Sequence, residues 1–352
     1  MILFAVLPLA TSKQTEAKLG EAFAEAGIPE DAWTVGRAYY VPLFGHLVIE
    51  KLEFGERGDD AFLEVKKITL ALDTGNEALF AGSVDAQDVS FLADNVDITV
   101  KSLSANDFSV DKASFGYSPV EAVKKLGKIS LSDAVFRQKG QRYFSLGKLN
   151  ADVGYAEGKI PLSSSISLKE FTMDIRQFMP FSTLRPEYRF SNVEFKNSLS
   201  GDAYTVNLVI DGANLFTIKA DLGLSLPGEF LASGEMANLA LITREVKMDS
   251  LALTYTDKSF LDHVFELAGM SGGRESAAEQ LNEALMQFAV MGGVDEERFA
   301  NEAAKFIVKP GKLELKTNID SPVGFEDISR NPFAMNLSLS INGGKPFTAS
   351  GY

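Results

Sequence analysis

Cysteine is absent from this chain of 352 residues, histidine occurs twice, tryptophan once, and Lys and Arg together number 34 against 48 Asp and Glu. Each shortage removes chemistry. Without cysteine there is no disulfide, no thiolate metal site and no thiol nucleophile. With only His46 and His263, far apart in sequence, a site built on several imidazoles has almost no material. A formal charge of −14 argues against nucleic acid as a partner, because phosphates are held by Lys and Arg, and the sequence shows no basic cluster with interleaved aromatics. Missing too are the phosphate-binding G-x-x-x-x-G-K-[ST], the dinucleotide G-x-G-x-x-G and the metalloprotease H-E-x-x-H.

Long apolar runs are also scarce. The longest relevant stretch, Met1 to Ala10 (MILFAVLPLA), ends abruptly at Thr11, Ser12, Lys13 and Gln14. It falls short of the ~20 residues that cross a bilayer but matches the core of a signal peptide, and Ala10 with Ser12 supplies a small-x-small pattern. The missing basic flank and Pro8 count against that reading. Residues 1–12 are therefore expected to be a hydrophobic anchor or signal-like segment, with a buried terminal tail as the other option. Thr11 and Gln14 have capping-box spacing, and Leu19, Ala22, Phe23 and Ala26 form a stripe that Gly27 and Pro29 close, which predicts a short amphipathic helix.

What is present in abundance is period-two alternation. Hydrophobic content of 45% with 23% charged residues is enough to build a core and gives no case for disorder. From Trp33 to Tyr255 apolar residues recur at every second position between turns of Gly, Asn, Asp and Ser. The clearest run is Phe216, Ile218, Ala220, Leu222, Leu224 and Leu226, with Thr217, Lys219, Asp221, Gly223 and Ser225 between them. Connections too short for parallel crossovers make this an antiparallel meander. Three helical stripes follow: Leu261, Val264, Phe265 and Ala268; Leu281, Leu285 and Phe288; Phe299, Ala303, Phe306 and Ile307. Strand candidates Leu313 to Ile319 and Leu337 to Ile341 then return the chain to the sheet. The expected fold is mainly β, a β-rich α+β protein. It has a long curved antiparallel sheet, as a groove or sandwich, an N-terminal helix and a C-terminal three-helix insertion at about 258–309, all within one domain spanning 13–352.

Candidate chemistry is thin. Gly269-Met270-Ser271-Gly272-Gly273 matches G-x-S-x-G in letters, but it lies between helical stripes where the nucleophile elbow needs a strand. His263 lies close upstream, and Asp262 and Glu266 flank it, which keeps a hydrolase open as the least favoured class. Asp94, Asp97 and Asp107 fit no calcium loop and read as a solvated strand edge. No residue is assigned a catalytic role, and neither a metal nor a cofactor is expected. Trp33, Tyr39 and Tyr40 read as core packing before membrane anchors. Asn336-Leu337-Ser338 is a glycosylation sequon, a pattern frequent by chance.

The apolar start and Glu/Ala-rich helix (Thr15 to Gly27) lead into Tyr39-Tyr40-Val41-Pro42-Leu43-Phe44-Gly45-His46-Leu47-Val48-Ile49-Glu50-Lys51-Leu52. Strand after strand then leads to Phe306-Ile307-Val308-Lys309-Pro310-Gly311-Lys312-Leu313. This pattern resembles AsmA-like and related bacterial envelope β-groove proteins. The resemblance implies a periplasmic protein, anchored to the inner membrane, whose apolar concave face holds acyl chains. A physical argument runs beside it: the few helical stripes are too few to cover so many strands, so part of the greasy face is left for a guest. The lipid-contact candidates are Phe216, Ile218, Leu222, Leu224 and Leu226. Lipid or another apolar ligand is the expected partner, with the membrane reached through the N-terminus. An envelope scaffold that binds another protein is the alternative.

Overall fold

A computed structural model describes residues 2–25, 27–41, 45–56, 58, 60–73, 79–111, 123–125, 127–155, 161–174, 187–226, 245–267, 273–289 and 294–349. The chain is mainly β and antiparallel, with an N-terminal helix and C-terminal helices. It divides into two compact units: residues 1–153 with 168–174, and residues 154–167 with 175–352, so that strand β9 contributes to both.

In the first unit, helix α1 (Ile2–Glu25) is continuous. The capping-box reading started the helix at Thr11, but Ile2–Ala10 is itself rich in helix formers, so the helix propagates upstream and Pro8 lies inside it. Among the described residues no helix is long and apolar enough to cross a membrane. The strands are β1 (Trp33–Val41), β2 (His46–Phe54), β3 (Ala61–Asp73), β4 (Leu79–Ala93), β5 (Val96–Asp111), the short β6 (Val123–Lys125), β7 (Lys128–Gln138), β8 (Gln141–Tyr155) and β9 (Pro161–Asp174). Pairing is sequential from β1 to β5, then β5 with β7 and β7 with β8.

Helix α1 packs on β1 to β3. Leu19 and Phe23 join Ala38, Ile49 and Leu52, which are buried, together with Trp33, Val35, Leu47, Phe54, Ile68 and Leu70. Phe23 meets the Trp33 ring edge-on at 4.8 Å and Phe54 at 5.5 Å. The helix also bonds to β1: Ala38 N–H donates to Glu16 Oε1 at 3.3 Å, and the buried Ser12 hydroxyl donates to the same oxygen at 2.6 Å. A backbone N–H of β1 is thereby satisfied by a side chain of the helix.

In the second unit, β10 (Glu187–Ser200), β11 (Ala203–Asp211), β12 (Phe216–Ser225) and β13 (Lys247–Asp257) pair in sequence. Strand β13 continues to β14 (Lys312–Thr317) and the two-residue β15 (Val323–Gly324), and β14 leads on through β16 (Leu337–Ile341) to β17 (Phe347–Ala349). Between β13 and β14 lie α2 (Phe260–Leu267), α3 (Gly273–Ala289) and α4 (Val294–Val308), where the apolar stripes predicted helices, and α5 (Phe325–Arg330) follows β15. Asp257 starts α2: its Oδ1 accepts Leu261 N–H at 3.1 Å and the Tyr255 hydroxyl at 2.7 Å. Burial first, and the Asp257 acceptor second, hold the Tyr255 phenol protonated well above its usual range.

Candidate functional site: a bare apolar sheet face

Of the five candidates on and just after β12, Phe216 and Leu226 are buried and Ile218, Leu222 and Leu224 are half-buried. Phe216 (7% exposed) is buried with Tyr188 and Leu215, against Phe190, Ile210, Ile218, Tyr255 and Phe260. Leu222 and Leu224 pack on the cluster of Met248, Phe299, Ala303, Met335, Leu337 and Leu339, and Leu226 (5% exposed) is buried with Val246. The sequence reading expected this strip to be exposed to a guest. Phe260, Phe299, Ala303 and Phe325, from α2, α4 and α5, pack in the same clusters, while Ile218, Leu222 and Leu224 keep part of their surface exposed.

The first unit presents a different surface. The register aligns Val35, Leu52, Val65, Val89, Val100, Ala134 and Leu146 across β1–β5, β7 and β8. A second row joins Ala38, Ile49, Ile68, Ala86, Leu103, Leu131 and Leu149. Flanking these, one row runs from Trp33 and Phe54 through Leu63, Phe91, Ile98 and Phe136 to Phe144, and another from Tyr40 and Leu47 through Leu70, Val84, Ala105 and Ile129 to Ala151. No charged side chain interrupts any of the four. The packing of α1 on Val35, Ala38, Ile49, Leu52 and Ile68 shows that the two inner rows share a face. The opposite face is polar, as in Arg37–Glu50–Lys67–Gln87–Ser102–Ser132–Lys148, and is laced by cross-strand bonds such as Ser102–Ser132 at 2.6 Å and Ser130–Asn150 at 3.1 Å.

Among the described residues the buried cluster of this unit takes side chains from α1 and β1–β3 and none from β4–β9. On those later strands Ala86 is buried, most of the other apolar residues in these rows are half-buried, and Phe144 is 37% exposed. At strand spacings of ~4.8 Å and ~3.3 Å per residue, the face of β4, β5, β7 and β8 spans roughly 450 Å². A footprint of that size is comparable to the largest apolar patch on an ordinary monomer, a patch that is often functional.

Other candidates resolve as follows. Ser271 lies outside the described residues. His263 is on α2, and the adjacent Asp262 is engaged by the Arg274 guanidinium, with Nε 2.9 Å from Oδ1, tying α2 to α3. Asp94 sits in the β4–β5 turn, Asp97 pairs with Arg137 at 3.3 Å, and Asp107 lies towards the far end of β5, so these acids do not converge. Among the described residues no group of His, Asp and Glu is placed to hold a metal. A cleft of about 920 Å³ between α3, α4 and Phe347 is bounded by Glu275, Glu279, Glu302, Arg298, Lys305 and Lys309, a mixed-sign rim with Lys305 and Glu302 bonded at 2.5 Å.

A family model matches residues 209–342. Its description is an uncharacterized protein, and the matched stretch runs from β11 through the helix-covered strands to β16. No curated protein matches the chain.

Proposed function

We propose that the protein is a non-catalytic bacterial envelope protein that binds lipid acyl chains on the apolar face of β4, β5, β7 and β8, and so carries or shelters them in the periplasm. The observation that supports this most is the set of four uninterrupted apolar rows, covered by α1 over β1–β3 only among the described residues. A hydrocarbon guest needs a surface without charge or unpaired polar groups, and each buried methylene yields ~0.8 kcal/mol. A chain burying about ten methylenes gains ~8 kcal/mol before ordering costs, enough for useful affinity. The apolar Ile2–Ala10 stretch supports attachment to the inner membrane, in line with the resemblance to AsmA-like proteins.

A second reading has its own support. An amphipathic helix already occupies part of this face, so the helix of another envelope protein is chemically suited to the rest. Purification from cells followed by organic extraction and mass spectrometry decides between the two. Co-purified acyl lipid, displaced stoichiometrically by a fluorescent fatty acid, is expected. A lipid-free protein that ignores the probe but retains one specific polypeptide overturns the lipid reading in favour of the scaffold.

A further inference from the structure

Five non-glycine residues inside strands of the first unit adopt the left-handed backbone region: Lys51 (φ 59°) on β2, Asp88 (φ 50°) on β4, Asp107 (φ 58°) on β5, Asp133 (φ 49°) on β7 and Glu170 (φ 54°) on β9. Such geometry is disfavoured for any residue with a Cβ. The register puts four of them, all but Asp107, on one line. Lys51 falls opposite Gly36 and Lys66, Asp88 opposite Lys66 and Lys101, and Asp133 opposite Lys101 and Gly147. Glu170 stands beside Gly147, where an added Cβ would lie 2.6 Å from its Oε2 and 3.0 Å from its Cβ, and a Cβ on Gly36 would lie 3.1 Å from that of Lys51. At two positions of this line a glycine leaves room for the left-handed residue that faces it.

The line reverses side-chain parity. On β4, Val84 and Ala86 face the apolar side, Gln87 and Asp88 are both exposed, and Val89 and Phe91 face the apolar side again. The same reversal separates Leu131 from Ala134 and Leu146 from Leu149. Two consecutive outward side chains must spread apart, which lengthens the polar surface and bends each strand towards the apolar one. Exposed pairs span the outside of the bend, Lys66 with Asp88 at 3.0 Å and Lys101 with Asp133 at 3.8 Å.

We infer that this line is a crease forming the floor of a trough, and that a hydrocarbon chain lies along it, across the strands. Its walls are the row through Val89, Val100 and Ala134 and the row through Ala86, Leu103 and Leu131. Ala86, buried at 7% exposure, and Ala134, half-buried, are the small residues on the opposite walls. A chain laid along a strand would have to cross the bend, whereas one laid along the crease touches both walls throughout. The ligand part rests on the acyl-chain reading; the crease does not.

The test compares two double variants of the full chain, Asp88→Gly with Asp133→Gly, and Asp88→Val with Asp133→Val. Both lose the same ion pairs, so their difference isolates the backbone. The glycine pair is expected to keep affinity for a fluorescent hexadecanoic acid within about twofold, and the valine pair to lose about tenfold or more. Equal affinities of the two pairs overturn the crease. Because the chain has no cysteine, thiol labelling gives a readout that needs no ligand. Ala86→Cys and Gln87→Cys should label with different rates in the glycine background and with similar rates in the valine background; unchanged contrast overturns the crease even if no probe binds wild type, a result that would separately end the acyl-chain reading. Should the valine pair not fold, Ala86→Trp with Ala134→Trp fills the floor, and undiminished probe affinity in that variant overturns the chain orientation.

Discussion

Phe136 and Phe144 face each other across β7 and β8 with ring centroids 4.8 Å apart and planes within 3° of parallel. Tyr143 meets the Phe136 ring edge-on at 5.8 Å, at a register shift that brings it beside the pair. A stacked aromatic pair with one ring 37% exposed is an uncommon use of apolar area unless something else lies on it. Phe144→Ser should cost no more than about 1.5 kcal/mol in thermal or denaturant unfolding, since much of that ring already meets water. The same variant should weaken acyl-probe binding several-fold. Full affinity after the substitution would remove this end of the row from the site.

The only tryptophan gives an intrinsic reporter for α1. Trp33 lies against Phe23 and within the cluster of Ala38, Ile49 and Leu52, so its emission reads whether the helix is docked. Phe23→Ala removes both ring contacts and should destabilise by about 2–3 kcal/mol, with a red shift of the Trp33 emission. A variant that melts normally and keeps its blue emission would mean that α1 is held by Leu19 and the Glu16–Ala38 bond instead.

Much of this architecture was legible because strands announce themselves by alternation, and the helices by stripes whose members Phe299, Ala303 and Phe306 are indeed buried. The bare face was harder to find, for a physical reason. Residues in the left-handed region shift the apolar set from even to odd positions within one strand, so Ala86 and Val89 look like parts of different elements. Strand β8 shows the same switch with no left-handed residue of its own: Phe144 and Leu146 precede Gly147, and Leu149, Ala151 and Val153 follow it with parity reversed. The usable signal was an Asp, Lys, Glu or Gly at each switch, a residue type that tolerates or accommodates positive φ better than the β-branched neighbours do. By contrast the clean alternation of β12 marks a strand with no reversal, and residues of the following helices pack in its clusters.

Acid sensitivity should be traceable to Asp211 in the second unit. The Ser191 hydroxyl, donating at 2.7 Å, is the main cause holding this carboxyl below its ordinary value of 3.8, and the Lys258 ammonium at 3.2 Å adds to it. A folded-state value below the unfolded one stabilises the fold above the ordinary carboxylate range, and that contribution is lost as pH falls through the folded value. Asp211→Asn lacks it at every pH. Melts of wild type and variant taken from about pH 6 to about pH 3 should therefore converge at the acid end. A constant gap between the two curves would assign the role of Asp211 to packing or uncharged hydrogen bonding.

The two apolar faces should separate cleanly by mutation. Phe216 is enclosed by Phe260 at 4.7 Å, Tyr255 at 6.2 Å and Phe190 at 6.3 Å, and a Cβ on Gly212 would lie 2.9 Å from its ring. Truncating such a side chain leaves a cavity that rigid neighbours cannot close, so Phe216→Ala should cost about 3–4 kcal/mol. At a temperature where the variant remains folded, its affinity for the acyl probe should equal that of wild type, because Phe216 is buried among the chain's own side chains. Val100→Ser has the reverse profile, a smaller stability loss with weakened probe binding, since its neighbours Val89 and Ala134 lie on the bare face. A Phe216→Ala protein that stays folded yet loses the probe would move the binding surface back to β12, the strand whose alternation first suggested it.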